Sequence, residues 1–121
     1  MSVSQSPSPV ILVVDDEAII RMNAADMLAD EGFATIEAGG AEDAMAEIVR
    51  HPEISVLFTD INMPGRFDGL ELAHRVHAYR PDIRLILTSG RNPPAPGEIP
   101  DDGRFLSKPY DQASLARLVT R

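Results

Sequence analysis

The chain has 121 residues, enough for one domain around one core and too few for two. Its formal charge of −8 argues against direct nucleic-acid binding, which needs a basic footprint. Cysteine is absent, which excludes disulfides and thiolate metal sites, and no apolar run approaches the length of a membrane span.

Residues 1–9 are rich in Ser and Pro with almost no apolar content, and are expected to form a disordered tail ahead of a domain over 10–121. They carry no basic region followed by an apolar stretch, so no secretory signal is read and a cytoplasmic protein is expected. Val10 to Val14 reads as a buried strand that runs into the acidic turn Asp15-Asp16-Glu17. A helical pattern covers about Ala18 to Glu31, with Ile19, Ile20, Met22, Met27 and Leu28 on or near its expected buried side. Gly32 suits the position after that helix, where a left-handed backbone is common. Phe33 to Glu37 is a second, weaker strand.

After Gly39-Gly40, the residues Ala41, Ala44, Met45, Ile48 and Val49 match the amphipathic helical template. His51-Pro52 ends that helix. Val56-Leu57-Phe58 is too short for a helix and rich in strand formers. Met63-Pro64-Gly65 then stops regular structure, so Asp60 stands where a buried strand meets a loop. A third helix runs from about Asp68 to Tyr79 on Leu70, Leu72, Ala73, Val76 and Tyr79, and Pro81 closes it. Ile83 to Thr88 is the fourth strand, ending in Thr88-Ser89-Gly90.

Residues 91–103 hold Pro93, Pro94, Pro96, Pro100 and two glycines. An interior proline costs a helix about 3 kcal/mol, so no regular helix of normal length is expected there. Asp101-Asp102-Gly103 reads as a turn. Arg104 to Ser107 is a short fifth strand, followed by Lys108-Pro109. Asp111 can cap a last helix through Leu115, Leu118 and Val119.

Alternation of this kind implies an α/β protein with a parallel sheet and helices on both faces. The carboxyl ends of parallel strands share one edge, where ligands bind. Asp15-Asp16, Asp60, Thr88-Ser89 and Lys108 all fall at such ends, so carboxylates, hydroxyls and one ammonium converge there. Clustered carboxylates repel one another, and a hard divalent cation relieves the repulsion. Oxygen-only ligands point to Mg²⁺. Mg²⁺, a hydroxyl and a lysine together suit a phosphoryl group, and an aspartate can form an acyl phosphate. His74 and His77 beside Glu71 could suggest a second metal site. No further His or Cys supports one, and they are read as solvated helix-face residues. Arg66 and Phe67 are read as exposed loop residues.

Four motifs stand at the strand ends in order: VVDDE at 13–17, TDINMPG with DGLEL at 59–65 and 68–72, LTSG at 87–90, and FLSKPY at 105–110. With them the sequence resembles the receiver domain of two-component response regulators over about residues 10–120. The resemblance implies a CheY-like (flavodoxin-like), doubly wound sheet of five parallel strands in the order 2-1-3-4-5. It implies Asp60 as phosphoacceptor, and Mg²⁺ held by Asp16, Asp60 and the Asn62 main-chain carbonyl, with Asp15 acting more through water. Thr88 would bond the phosphoryl group and swing toward it. Lys108 would pair with a phosphoryl oxygen, across a cis Lys108-Pro109 bond. Phe105 would be the aromatic switch, rotating inward as Thr88 moves. The implied donor is a sensor histidine kinase or a histidine phosphotransfer protein, with self-catalysed transfer and hydrolysis in a signalling switch rather than a turnover enzyme. No nucleic-acid or membrane partner is expected; homodimerisation on phosphorylation is an option.

The sequence departs from the family pattern in three places. The loop Gly65-Arg66-Phe67 is about one residue longer than usual. The 91–103 loop replaces most of the usual fourth helix. The chain ends at Arg121 without an output domain, as a stand-alone receiver or as part of a larger regulator. Two other classes remain. An Asp-based, Mg²⁺-dependent phosphatase would need a second acid two residues after the nucleophile, where Asn62 stands. A phosphorylation-independent interaction module would be expected to have lost an acid, the threonine or the lysine, and all are present.

Overall fold

The computed structural model describes residues 8–91, 93–95, 97–100 and 103–120. Most of the expected tail at 1–9 and the Asp101-Asp102 part of the expected turn lie outside the described residues. The elements alternate: β1 Val10–Val14, α1 Ala18–Asp30, β2 Ala34–Ala38, α2 Ala41–Arg50, β3 Ile54–Asp60, α3 Gly69–Tyr79, β4 Arg84–Ser89, β5 Arg104–Ser107 and α4 Gln112–Thr120. All five strands are parallel, in the order β2-β1-β3-β4-β5.

Strand alternation divides the core between the two faces of the sheet. Ile11 and Val13, Val56 and Phe58, and Ile86 point to one side, against Ala24 and Leu28 of α1 and Leu115 and Val119 of α4. Leu12 and Val14, Leu57, and Leu85 and Leu87 point to the other, against Ile48 of α2 and Leu72 and Val76 of α3. The three central strands are therefore apolar almost throughout, and each can end in a polar residue only at the sheet edge.

The first helix corrects one expectation. Its buried residues are Ala24, Ala25 and Leu28, while Ile19 is 75% exposed and Met22 53% exposed. The helix is apolar on more than one side, so periodicity alone could not choose its buried face. Ala24 and Ala25 are buried together with Leu28, and Ile19 and Met22 are left outside. Val49 and Tyr79, counted with the apolar faces of their helices, are also exposed.

Local signals end the elements as expected. Gly32 adopts φ +91°, and the amides of Gly32 and Phe33 bond back to Ala29 and Leu28, closing α1. The side chains of Asp68 and Asp111 accept from the amides of Glu71 and Ser114 at the starts of α3 and α4.

No helix is found between β4 and β5 among the described residues. The partly buried Ile99 instead packs against the core on the α2–α3 side of the sheet. A ring nitrogen of His74 donates to the Glu98 carbonyl at 2.8 Å, tying the loop to α3. His74 thus has a structural partner, and among the described residues the only cluster of potential metal ligands is elsewhere.

Gly69 opens α3 against the end of β3. Its amide donates to the Ile61 carbonyl at 2.9 Å, and a Cβ there would overlap the Asp60 carbonyl oxygen. Backbone stands on both sides of this contact, so neither partner can yield. Gly69→Ala is expected to cost about 2 kcal/mol or more by urea denaturation. An unchanged midpoint would show that α3 can shift away from Asp60.

Candidate functional site

Sheet register brings the site together. Asp60 pairs with Thr88 across β3 and β4, and Thr88 with Leu106 across β4 and β5. Val14 pairs with Thr59, so Asp15 emerges beside Asp60. Carboxylate oxygens of Asp15, Asp16 and Asp60 lie within 4.8 Å of one another. Asp15 and Asp60 are buried, whereas Asp16 is exposed.

Lys108 reaches this cluster from the end of β5. Its Nζ lies 3.3 Å from Asp60 Oδ1 and 3.4 Å from Asp15 Oδ2. The Lys108 amide donates to the Ser89 carbonyl at 3.0 Å, and the Lys108-Pro109 bond is cis. The ammonium is itself largely covered, with 22% of the side chain exposed, so its attraction to the carboxylates is poorly screened.

The electrostatics follow from this crowding. Burial is the largest influence on Asp60 and pushes its carboxyl above the ordinary aspartate range. Lys108 opposes the shift, while Asp15 and Asp16 add to it. Burial works against the charged form of Lys108, but Asp60 and Asp15 outweigh it and hold the ammonium above the usual lysine range. The Tyr110 hydroxyl is pushed up to about 12 by burial and by Asp15 and Asp60. Its ring stands edge-on to Phe58, with centroids 5.5 Å apart.

The remaining candidates take these places. The Thr88 hydroxyl donates to the Leu106 carbonyl at 2.6 Å, so it is engaged with β5 rather than with Asp60. The Ser89 hydroxyl donates to Asn62 Oδ1 at 2.7 Å and accepts from the Arg91 amide at 3.0 Å. The Asn62 main-chain carbonyl accepts no hydrogen bond among the described residues. Phe105 is partly buried against the α2–α3 core. In the longer loop, Phe67 lies under the Arg75 guanidinium at 4.1 Å, and Arg66 remains mostly exposed, 3.8 Å from Glu42.

The donor set fits a hard divalent cation such as Mg²⁺. It offers the carboxylate oxygens of Asp15, Asp16 and Asp60, among them a buried carboxyl whose ionisation a cation would favour. Three contributors were not read from the sequence: Gly69, Tyr110, and Arg21, whose guanidinium donates to the Asp15 carbonyl at 2.9 Å. Gly69 and Tyr110 lie within the DGLEL and FLSKPY motifs, but their roles were not read there; a glycine at a helix start, a weak helix former, was the signal for Gly69.

A raised carboxyl pKa sets the sign of a pH effect. Asp60 costs the fold nothing below the ordinary aspartate range, where it is protonated folded or unfolded. The cost grows as pH rises toward its folded pKa and is complete above it. Without divalent cations at neutral pH, Asp60→Asn is expected to raise the thermal midpoint, a gain on the order of 1 kcal/mol. The gain should vanish in acid. A lower midpoint at neutral pH would contradict the reading that burial, with Asp15 and Asp16, disfavours the Asp60 carboxylate.

Residues 11–120 match the family described as response regulator receiver domain. The sensor kinase CckA of Brucella abortus is 32% identical over 119 residues, which is 94% of this chain and 12% of CckA. The transcriptional regulatory protein PdtaR of Mycobacterium tuberculosis is 31% identical over 108 residues, 87% of this chain and 52% of PdtaR. The chain thus spans about half or less of the length of these curated relatives. Among solved structures, the response regulator TrrA of Thermotoga maritima, in complex with Mg²⁺-BeF, superposes with a TM-score of 0.84 at 26% identity, covering 93% of this chain and 96% of that one. This chain belongs to the response regulator receiver domain family.

Proposed function

We propose that the chain accepts a phosphoryl group on Asp60 from a phosphohistidine donor, a sensor histidine kinase or a histidine phosphotransfer protein, and signals by a change of conformation. The observation that carries this reading is the convergence of Asp15, Asp16, Asp60 and Lys108 at one sheet edge. In the transfer, an Asp60 carboxylate oxygen forms the new bond to phosphorus. The phosphorus–nitrogen bond of the donor breaks, and its electron pair returns to the imidazole. Later attack by water would release inorganic phosphate and restore the carboxylate.

Asp15, Asp16, Asp60 and the Asn62 carbonyl would hold Mg²⁺, with Asp15 acting more through water. When bound, Mg²⁺ would supply positive charge to the phosphoryl oxygens. Lys108 is placed to pair with one of those oxygens once Asp60 is no longer a full carboxylate. To bond another, the Thr88 hydroxyl must leave the Leu106 carbonyl. That exchange loosens β4 from β5 beside Phe105, and such differential contacts are what a two-state switch requires. Asn62, bonded to Ser89, offers no acid for rapid turnover, which favours a switch over a phosphatase.

A donor protein must come close to Asp60. Next to Lys108 lies an apolar groove of about 430 Å³ formed by Ile20, Ala24, Met27, Pro109 and Tyr110. The exposed Ile19 and Met22 stand on the same helix. This apolar surface suits the phosphohistidine-bearing partner, since it adjoins Lys108, whose Nζ lies 3.3 Å from the Asp60 carboxylate.

Incubation with Mg²⁺ and acetyl phosphate or phosphoramidate, followed by intact mass, tests the reading. The expected result is a gain of one phosphoryl group that is lost on chelation and in Asp60→Asn. A gain that persists in Asp60→Asn, or none from small donors or a phosphorylated histidine kinase, would overturn it.

A further inference from the structure

We infer that Arg21 is a positioning residue for the cation site, acting through the Asp15-Asp16 peptide; this rests on the Mg²⁺-binding reading above. Asp16 contributes an exposed carboxylate, and its side chain makes no hydrogen bond among the described residues. Its direction therefore depends on the backbone that carries it. That backbone is fixed at three points. The Asp15 amide donates to the Ala38 carbonyl at 3.3 Å. Asp15 Oδ1 accepts from the Glu17 amide at 2.9 Å. Arg21 Nη1 donates to the Asp15 carbonyl at 2.9 Å. The last bond holds the peptide unit that joins Asp15 to Asp16.

Arg21 can serve this purpose because it is anchored in turn. Its Nε donates to Glu37 Oε1 at 3.0 Å, near the end of β2, and 20% of its side chain is exposed. The guanidinium is a rigid fork, so one end on Glu37 aims the other at the Asp15 carbonyl. One turn of α1, the end of β1 and the end of β2 are thereby joined around the acidic turn. A lysine keeps the charge but cannot span both acceptors with the same geometry.

Charge and geometry predict opposite signs. If Arg21 acted only as a nearby positive charge, its removal would tighten the binding of a divalent cation. If it positions the turn, removal weakens binding. Arg21→Lys separates the two, since it retains the charge and loses the fork. Glu37→Gln retains an acceptor for Nε while adding net positive charge.

The test is Mn²⁺ binding by electron paramagnetic resonance, with Mg²⁺ as competitor, and thermal unfolding of each variant. Arg21→Lys and Arg21→Ala are expected to weaken cation binding by about tenfold, as for other groups that orient metal ligands. Glu37→Gln should remain close to the parent protein. Unchanged affinity in both Arg21 variants, even with a lower unfolding midpoint, would reduce Arg21 to a structural ion pair. Tighter binding in Arg21→Ala with parent-like Arg21→Lys would assign it a purely electrostatic effect. Both results overturn the inference. Failure of the parent protein itself to bind either cation would instead overturn the Mg²⁺ reading, and this inference with it.

Discussion

Two buried carboxylates and an exposed third share one edge of the sheet, and a single ammonium stands between the buried pair. Without Lys108, burial and the neighbouring acids would act on Asp60 with no nearby cation to oppose them. With it, three carboxylates still face one ammonium, and burial above all holds the Asp60 carboxyl above the ordinary aspartate range. A cluster of this kind is one that a hard divalent cation would relieve. Much of the surrounding structure serves to hold these groups at this distance. The register of β3, β4 and β5 sets Asp60 beside Thr88, and the Lys108 amide is pinned to the Ser89 carbonyl.

The other end of the machinery is unusual in its construction. Where the family pattern places a fourth helix, this chain has a proline-rich segment in which, among the described residues, Ile99 packs against the core and the Glu98 carbonyl accepts from His74. The segment lies on the same side of the sheet as Phe105. Any rearrangement that starts at Thr88 and passes through β5 would meet this loop rather than a helix face.

The fold was legible in the sequence for a simple reason. Strands buried on both faces are apolar almost throughout, so the polar residue that ends each one marks the sheet edge. Asp15, Asp60 and Thr88 could be placed together from that rule, and Lys108 from its place after the short fifth strand. The buried face of α1 was not legible, because Ile19 and Met22 look like core residues until the alanine face is seen against the sheet. Nor could the sequence show that Thr88 is bonded to the Leu106 carbonyl, or that Arg21 reaches the Asp15 carbonyl. Both contacts join side chains to backbone groups of other elements, and main-chain acceptors leave no mark in a sequence. Gly69 is intermediate: its cost to a helix was visible, and its reason, the nearby Asp60 carbonyl, was not.

The central claim is that Asp60 is held in a state of electrostatic discomfort that a divalent cation relieves. The most direct measurement is a pH titration of the Asp60 side-chain carboxyl carbon by NMR, with and without Mg²⁺. The account predicts a midpoint above the ordinary aspartate range in the cation-free protein, and a fall when Mg²⁺ is added. A midpoint in or below the ordinary range without Mg²⁺, or one that Mg²⁺ leaves unmoved, would contradict it.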